Sequence, residues 1–344
     1  VLKNQRVTDK EDRSPRPVTM ETVARLAGVS QVTVSRALNE PDKVSPATLA
    51  RIRHAIAVTG YVPNLVAGAL ASKRSKLIAA LIPSITNIVY SSLMQHFSQA
   101  VRASGYQLLM SETGFSQDEE QELVAKLLTR RPDAVLLTGI RHSDPCRHML
   151  LGAGIPVVEV WDVTETPIDT CVGFSHTEAG KAVAAFVREN GYRRAANVSA
   201  GDERALRRKD AFARALIEAG FASVPEVCFE GGASIERGRL ALARLVDEQA
   251  FRDGVIFCSS DLLAHGVLIE AQARGLRVPE DVAVIGFGDQ VFAAHTLPPL
   301  TTVRVDRALL GERAASALLA RLNGVEVPEK TIDIGFEIVR RATA

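Results

Sequence analysis

The sequence predicts a small all-α head followed by a larger α/β body whose strands form two doubly wound parallel sheets. Three observations carry this. A helical apolar stripe stops at Gly28 and restarts behind Ser30. Short apolar runs alternate with amphipathic segments from Leu77 onward, and the sign of the charge changes between the two parts.

In the head, Met20, Val23, Ala24 and Ala27 fall at i, i+3, i+4 and i+7, one face of a helix. Gly28 follows, the residue that enters the left-handed backbone of a tight turn most readily. Ser30 is placed to cap a second helix whose Val34, Ala37 and Leu38 pack inward. The other face of that helix carries Gln31, Val32, Ser35, Arg36 and Asn39, groups that reach base edges and phosphates in a major groove. Ser45-Pro46 opens a third helix with Leu49, Ile52 and Ile56 on its core side, and Gly60-Tyr61-Val62-Pro63-Asn64 closes the unit. Two helices joined at a glycine turn, the second polar and exposed, make a helix-turn-helix, so double-stranded DNA is the expected partner.

Charge agrees. Residues 1–76 hold 13 Lys+Arg against 6 Asp+Glu, and the remainder holds 28 against 34. The overall formal charge of +1 therefore conceals a basic head on an acidic body, the footprint of a domain that sits on phosphates.

Residues 65–76 read as a hinge. Leu65 to Ser72 would make two helical turns, too short to be stable alone and weakened at Gly68 by about 1 kcal/mol relative to alanine. A helix of this kind forms only against a partner. Leu70 then suits a wedge between base steps in a minor groove, with Lys73, Arg74 and Lys76 near phosphates.

In the body, strands are expected at Leu77–Ile82, Tyr106–Met110, Ala134–Thr138, Pro156–Trp161, Ala195–Ser199, Val227–Glu230, Gly254–Cys258 and Val282–Phe287. Amphipathic segments lie between them, among them Leu93–Ala103, Glu119–Leu128, Glu178–Asn190, Arg208–Ala219, Ile235–Asp247 and Leu262–Arg274. That many strands exceed one tidy open sheet, hence two subdomains. Ligands in such sheets bind beyond the carboxyl ends of strands. Pro83-Ser84, Glu112-Thr113, Trp161-Asp162, Ser259-Ser260-Asp261 and Gly288-Asp289 stand there, a rim of hydroxyls, carboxylates and the single Trp that suits a small polyhydroxylated ligand. Arg204, Arg207 and Arg208 add guanidiniums able to grip a carboxylate or phosphate, unless they pair with Asp202, Glu203 and Asp210 on a solvated surface.

At 344 residues, 47% hydrophobic and 24% charged, the chain suits a soluble protein with a head and one or two larger domains. No apolar run is long enough to span a bilayer, so no membrane partner is expected. The polar stretch 1–17 reads as a disordered leader rather than a signal peptide. Four dispersed cysteines, Cys146, Cys171, Cys228 and Cys258, read as reduced thiols of a cytoplasmic protein. His142, Cys146 and His148 share one stretch, but their spacing matches no standard zinc pattern and a fourth ligand is missing, so a chance surface grouping, with neither metal nor cofactor, is expected. An enzyme is not expected either. There is no Gly-x-Ser-x-Gly elbow, P-loop or GxGxxG, and Gly286-Phe287-Gly288 reads as a turn. A transport-binding protein shares a two-lobed body, but the basic head argues against it.

With both parts in view the chain resembles the LacI family of bacterial transcription regulators from about Val18 to Arg341. The resemblance rests on the Val-Ala-x-Leu-Ala-Gly-Val-Ser and Thr-Val-Ser-Arg-x-Leu-Asn runs of the head, the Gly-Tyr-x-Pro-Asn closure and Ile82-Pro83. Gly275 to Val282 and Pro299-Leu300-Thr301-Thr302-Val303 match equally well. It implies a homodimer that reads a palindromic operator, and an effector held between two periplasmic-binding-protein-like subdomains. The implied boundaries are a head at 18–64, a hinge at 65–76 and a body at 77–344. Within the body, one subdomain spans about 77–173 with 303–331, the other about 174–302 with 332–344.

Residue by residue, the resemblance implies base contacts for Gln31, Val32 and Arg36. Ser30, Thr33, Ser35, Asn39 and Tyr61 would touch the DNA backbone or position the helix, and Leu70 would enter the minor groove. Ser84, Trp161, Arg204, Arg208, Ser260 and Asp289 are the expected effector contacts, Arg208 at the family's effector-binding arginine and Ser260 where many members carry Asn. Gly288 replaces the usual Asp of a Gly-aromatic-Asp turn and Phe174 a common polar contact, which argues against an ordinary neutral-sugar pocket. Val157 to Asp162, Pro167-Ile168-Asp169 and Val172 to His176 are similar to the gluconate-repressor branch. The implied function is a repressor of sugar-acid catabolic genes, released by gluconate or a related sugar acid. A neutral-sugar effector or a co-repressor is the alternative.

Overall fold

The computed structural model describes residues 18–63 and 74–344, which fall into two compact units. The leader, Asn64 and most of the hinge, Leu70 included, lie outside the described residues.

The first unit holds α1 (Met20–Ala27), α2 (Gln31–Asn39) and α3 (Pro46–Thr59). Thr19 caps α1 by accepting the Thr22 N–H, and Gly28, at φ 62°, ends it in the left-handed region. Ser30 Oγ accepts the Thr33 N–H at 3.2 Å and so starts α2, and Ser45 does the same for α3 behind Pro46. Val23, Ala27, Val34, Ala37, Ile52 and Ala55 form the core. With so few apolar side chains, each cap, typically worth about 1 kcal/mol, carries a large share of the unit's stability.

The second unit is built on two six-stranded sheets. The first, in spatial order, is β11 (Thr331–Asp333), β5 (Thr170–Gly173), β4 (Val157–Val160), β3 (Ala134–Thr138), β1 (Leu77–Ile82) and β2 (Gln107–Glu112). The other is β12 (Glu337–Val339), β10 (Thr301–Arg304), β9 (Val282–Phe287), β8 (Gly254–Cys258), β6 (Ala195–Ala200) and β7 (Glu226–Phe229). Ile78 to Ile82 and all of β8 and β9 are buried, as expected for parallel strands covered on both faces. Helices α4 (Ile88–Ala103), α5 (Gln117–Leu128), α6 (Asp144–Ala153) and α11 (Arg307–Leu322) belong with the first sheet. Helices α7 (His176–Glu189), α8 (Glu203–Glu218), α9 (Ile235–Asp247) and α10 (Asp261–Ala273) belong with the second.

The all-parallel expectation needs one correction, because β12 pairs antiparallel to β10. Strands β5, β10 and β11 were not anticipated, and β12 only as a C-terminal strand of the second subdomain; each has four residues or fewer, too few to show a period. The chain passes between the sheets three times, after β5, after β10 and after β11. The last two passages fall slightly later than expected, since β10 keeps Val303 and Arg304 in the second sheet and β11 keeps Ile332 and Asp333 in the first. Phe174 and Phe336, on two of these passages, meet with ring centroids 6.4 Å apart. Among the described residues no helix is long and apolar enough to cross a membrane.

Candidate functional site

Two surfaces hold the sequence-predicted residues. On α2, Val34 and Ala37 turn into the head's core, which leaves Gln31, Val32, Arg36 and Asn39 exposed on the opposite side, with Thr33 and Ser35 half-buried. Val32 is 67% exposed, an apolar side chain without intramolecular cover. Asn39 Nδ2 donates to the Ser35 carbonyl at 2.9 Å, and Ser30 and Thr33 share a hydroxyl contact of 2.9 Å. Tyr61 is only 9% exposed and belongs to the core, so its ring positions the helices rather than facing outward.

Between the two sheets of the body lies a cleft of about 410 Å3, lined by Ser84, Tyr90, Trp161, His176, Arg204, Arg208, Ser260, Gly288 and Gln290 among others. Arg208, 6% exposed, is its most constrained charge. Its guanidinium lies 3.9 Å from the Phe287 ring centroid, donates from Nη1 to His176 Nδ1 at 2.7 Å, and donates from Nη2 to the Ser259 carbonyl at 3.1 Å. His176 Nε2 donates to the Trp161 carbonyl at 2.8 Å, which leaves Nδ1 as the acceptor that Arg208 requires. Burial, reinforced by the charges of Arg208 and Arg204, holds His176 well below the usual imidazole range, so its ring is neutral. Burial likewise pushes Arg208 down to about 10, still charged at neutral pH. Arg204 donates to the Tyr90 hydroxyl at 2.8 Å. Among the described residues neither Arg204 nor Arg208 has a carboxylate within ion-pairing distance.

Trp161 sits at φ 73°, a backbone conformation costly for a bulky side chain and one that gathers at functional sites. Its ring meets Tyr90 edge-on at 5.9 Å, and its indole N–H is buried without a hydrogen-bond partner among the described residues, a donor left for something entering the cleft. Gly173 makes the turn possible on the neighbouring strand, since a Cβ there would lie 2.2 Å from the Asp162 carbonyl oxygen.

Three expectations are corrected. Asp289 does not line the cleft. At φ 45°, directly after Gly288 at φ 123°, its side chain turns to Arg304 at 2.6 Å and Arg341 at 2.7 Å, which neutralise it. Arg207 is likewise engaged elsewhere, by Asp162 and by Glu203, so only two of the three arginines are available to an anion. His142 and Cys146 are buried rather than on the surface, and His148 is exposed away from them. Glu120 takes its place in that group.

Sequence reasoning missed His176 and Tyr90, and gave Asp261 only as one carboxylate of the rim beyond the strands. Asp261 accepts from Thr302 Oγ1 and the Gln290 N–H, both at 2.6 Å, and burial pushes its carboxyl up to about 6. It anchors the turn that carries Gly288 and Gln290 into the cleft.

A three-helix head with a polar exposed second helix, followed by a two-sheet body with a basic cleft, defines a ligand-responsive DNA-binding regulator. The model of bacterial regulatory proteins of the lacI family matches residues 19–64, and that of the periplasmic binding protein-like domain matches 184–344. The chain is 37% identical to the HTH-type transcriptional regulator GntR of Pseudomonas aeruginosa over 97% of each chain. A LacI-family transcriptional regulator from Silicibacter pomeroyi has a crystal structure similar to it, 32% identical with a TM-score of 0.89, over 95% of this chain and 99% of that one. The lac repressor dimer bound to operator and the anti-inducer ONPF is 25% identical with a TM-score of 0.83, over 95% and 99%. The chain belongs to the LacI family: it is a DNA-binding transcriptional regulator responding to a small-molecule effector, in a family that regulates rather than catalyses.

Proposed function

We propose that this regulator is a repressor of sugar-acid catabolic genes, released from its operator by gluconate or a close relative. The observation that carries the reading is the pair Arg204 and Arg208, two guanidiniums in one cleft without a carboxylate partner among the described residues. An anionic ligand would supply the missing charge, with the Trp161 indole N–H and the Ser84 and Ser260 side chains available to its hydroxyls. The likeness to regulators named GntR supports the same choice of ligand.

The head, 18–64, is the operator-binding part. Gln31, Val32 and Arg36 meet base edges, while Ser30, Thr33, Ser35 and Asn39 hold the backbone and Tyr61 fixes the helix from within. The hinge, 65–76, delivers Leu70 to the minor groove. The body, 77–344, binds effector and forms a homodimer. Ile85, Ile88, Leu109 and Met110 support dimerisation as an exposed apolar group beside β2, an edge strand with a free side. Effector binding moves one subdomain pair against the other, changes the separation of the two hinges and withdraws Leu70. Coupling of this kind is typically worth ~1–3 kcal/mol.

Fluorescence anisotropy of the full-length protein on DNA from its own upstream region tests this. Gluconate, ketogluconates, their phosphates and neutral sugars are titrated into the complex. Release by a sugar acid alone is expected; release by neutral sugars alone contradicts the proposal.

A further inference from the structure

Behind one wall of the cleft, four side chains that the effector reading does not use meet in the interior. Glu120 projects from the first turn of α5, Cys146 from the first turn of α6, His142 from the loop after β3, and Glu159 from β4. All four are buried. His142 Nδ1 lies 2.6 Å from Glu120 Oε1, and Cys146 Sγ lies 3.9 Å from the same oxygen. These three ligand atoms fall within 4.8 Å of one another. On the far side of the ring, His142 Nε2 faces Glu159 Oε1 at 3.3 Å, and neither atom has a well-aligned hydrogen-bond partner. The second oxygen of Glu159 is held by the Ile168 N–H at 2.6 Å.

We propose that Glu120, His142 and Cys146 form a binding site for a divalent transition-metal ion of the zinc type, with Glu159 holding the outer nitrogen of His142. One thiolate, one imidazole and one carboxylate are a borderline-soft donor set that excludes calcium and magnesium and suits zinc or cobalt. Tetrahedral bonds of the usual lengths set ligand atoms ~3.3–3.6 Å apart, and the observed 2.6 and 3.9 Å lie on either side of that spacing, with all three atoms within 4.8 Å. A carboxylate on the distal nitrogen is the customary outer partner of a metal-bound histidine, and it accounts for an otherwise unfinished Glu159 contact.

Charge also balances. With carboxylates at both nitrogens, His142 turns one N–H to Glu120 and the other to Glu159, and Cys146 turns its S–H to the same Glu120 oxygen. Binding of one dication releases two protons to solvent, one from Sγ and one from Nδ1. Two new Lewis bonds replace them, and the formal charge of the buried group is unchanged. Glu120 lines a second recess of the cleft, of about 390 Å3, together with Gly139, Ile140 and Arg141 from the His142 loop. That recess gives the ion its route in and a water its place at the fourth position. Bound metal ties α5, α6 and the 139–142 loop into one rigid wall.

The test uses full-length protein stripped with a chelator and titrated with cobalt(II) chloride alone, followed by absorption. A thiolate-to-cobalt charge-transfer band that saturates at one ion per chain is expected. The band should vanish in Cys146→Ser, persist in Cys228→Ser, which changes an exposed thiol, and be displaced by zinc. Glu159→Gln should weaken cobalt binding about 10–100-fold. Wild-type protein without a thiolate band, or a band of equal strength in Cys146→Ser, overturns the proposal.

Discussion

Arg36 on α2 and Arg208 in the cleft are the same side chain in opposite surroundings. Arg36 is exposed on the polar face of its helix. Arg208 is buried, stacked on Phe287 and fixed by His176 and the Ser259 carbonyl. On the proposed roles, the first would meet DNA with a screened charge that must be ordered on binding, whereas the second would meet effector already ordered, its desolvation met by the fold. Operator binding should accordingly be steeply salt-dependent and spread over many modest contacts, and effector binding concentrated in a few large ones.

The largest expected effect follows from the buried side. Arg208→Ala removes the cleft's central charge and strands His176 Nδ1. Effector affinity should fall by about 2–5 kcal/mol, roughly thirtyfold or more, while operator affinity in the absence of effector changes little. Calorimetry with gluconate and anisotropy with operator separate the two, and a parallel loss of both would erase the distinction drawn above. On the exposed side, Gln31→Ala should cost about 1–3 kcal/mol of operator affinity, confined to the base pairs it reads. A panel of single-base operator variants shows whether the loss is local.

A smaller effect belongs to the head's construction. Ser30→Ala deletes the cap of α2 and should lower the stability of the head by about 1 kcal/mol, read as a lower unfolding midpoint in urea. Effector affinity should stay unchanged. The last concerns pH. His176 has a folded pKa well below its ordinary 6.5, so the unfolded chain binds a proton that the folded chain refuses. Its contribution to stability is present above about pH 6.5 and declines as the pH falls below that value. Thermal unfolding between pH 7.5 and about 5 should show the decline. His176→Asn should flatten it, and an unchanged slope in that variant would remove His176 from the account.

The two regions also differ in how far the chain announces them. The helix-turn-helix surface comes from contiguous residues, so apolar spacing, Gly28 and Ser30 disclose both its core and its exposed face. The cleft draws Tyr90, Trp161, His176, Arg208 and Gln290 from five distant segments. Only the two-sheet topology brings them together, and local pattern holds no trace of that. Asp289 was misjudged for a related reason. Its place beyond β9 is plain from the sequence, but the positive φ that turns it toward Arg304 and Arg341 belongs to the folded turn. Arg207 and Arg208 are adjacent and alike, yet a helix separates neighbours by about 100° and gives one to Asp162 and the other to the cleft. Glu120 lies 22 positions from His142, so local spacing grouped His142 with Cys146 and His148 and left Glu120 out.

The central claim is that Arg204 and Arg208, without a carboxylate partner among the described residues, select an anionic sugar derivative. Isothermal titration of the full-length protein with gluconate and, separately, with glucose tests it most directly, since glucose lacks the carboxylate that the guanidiniums would grip. Saturable binding of gluconate with glucose at least about a hundredfold weaker is predicted, the scale expected when a charge-assisted pair is lost. Equal affinity for the two, or a preference for glucose, would contradict it.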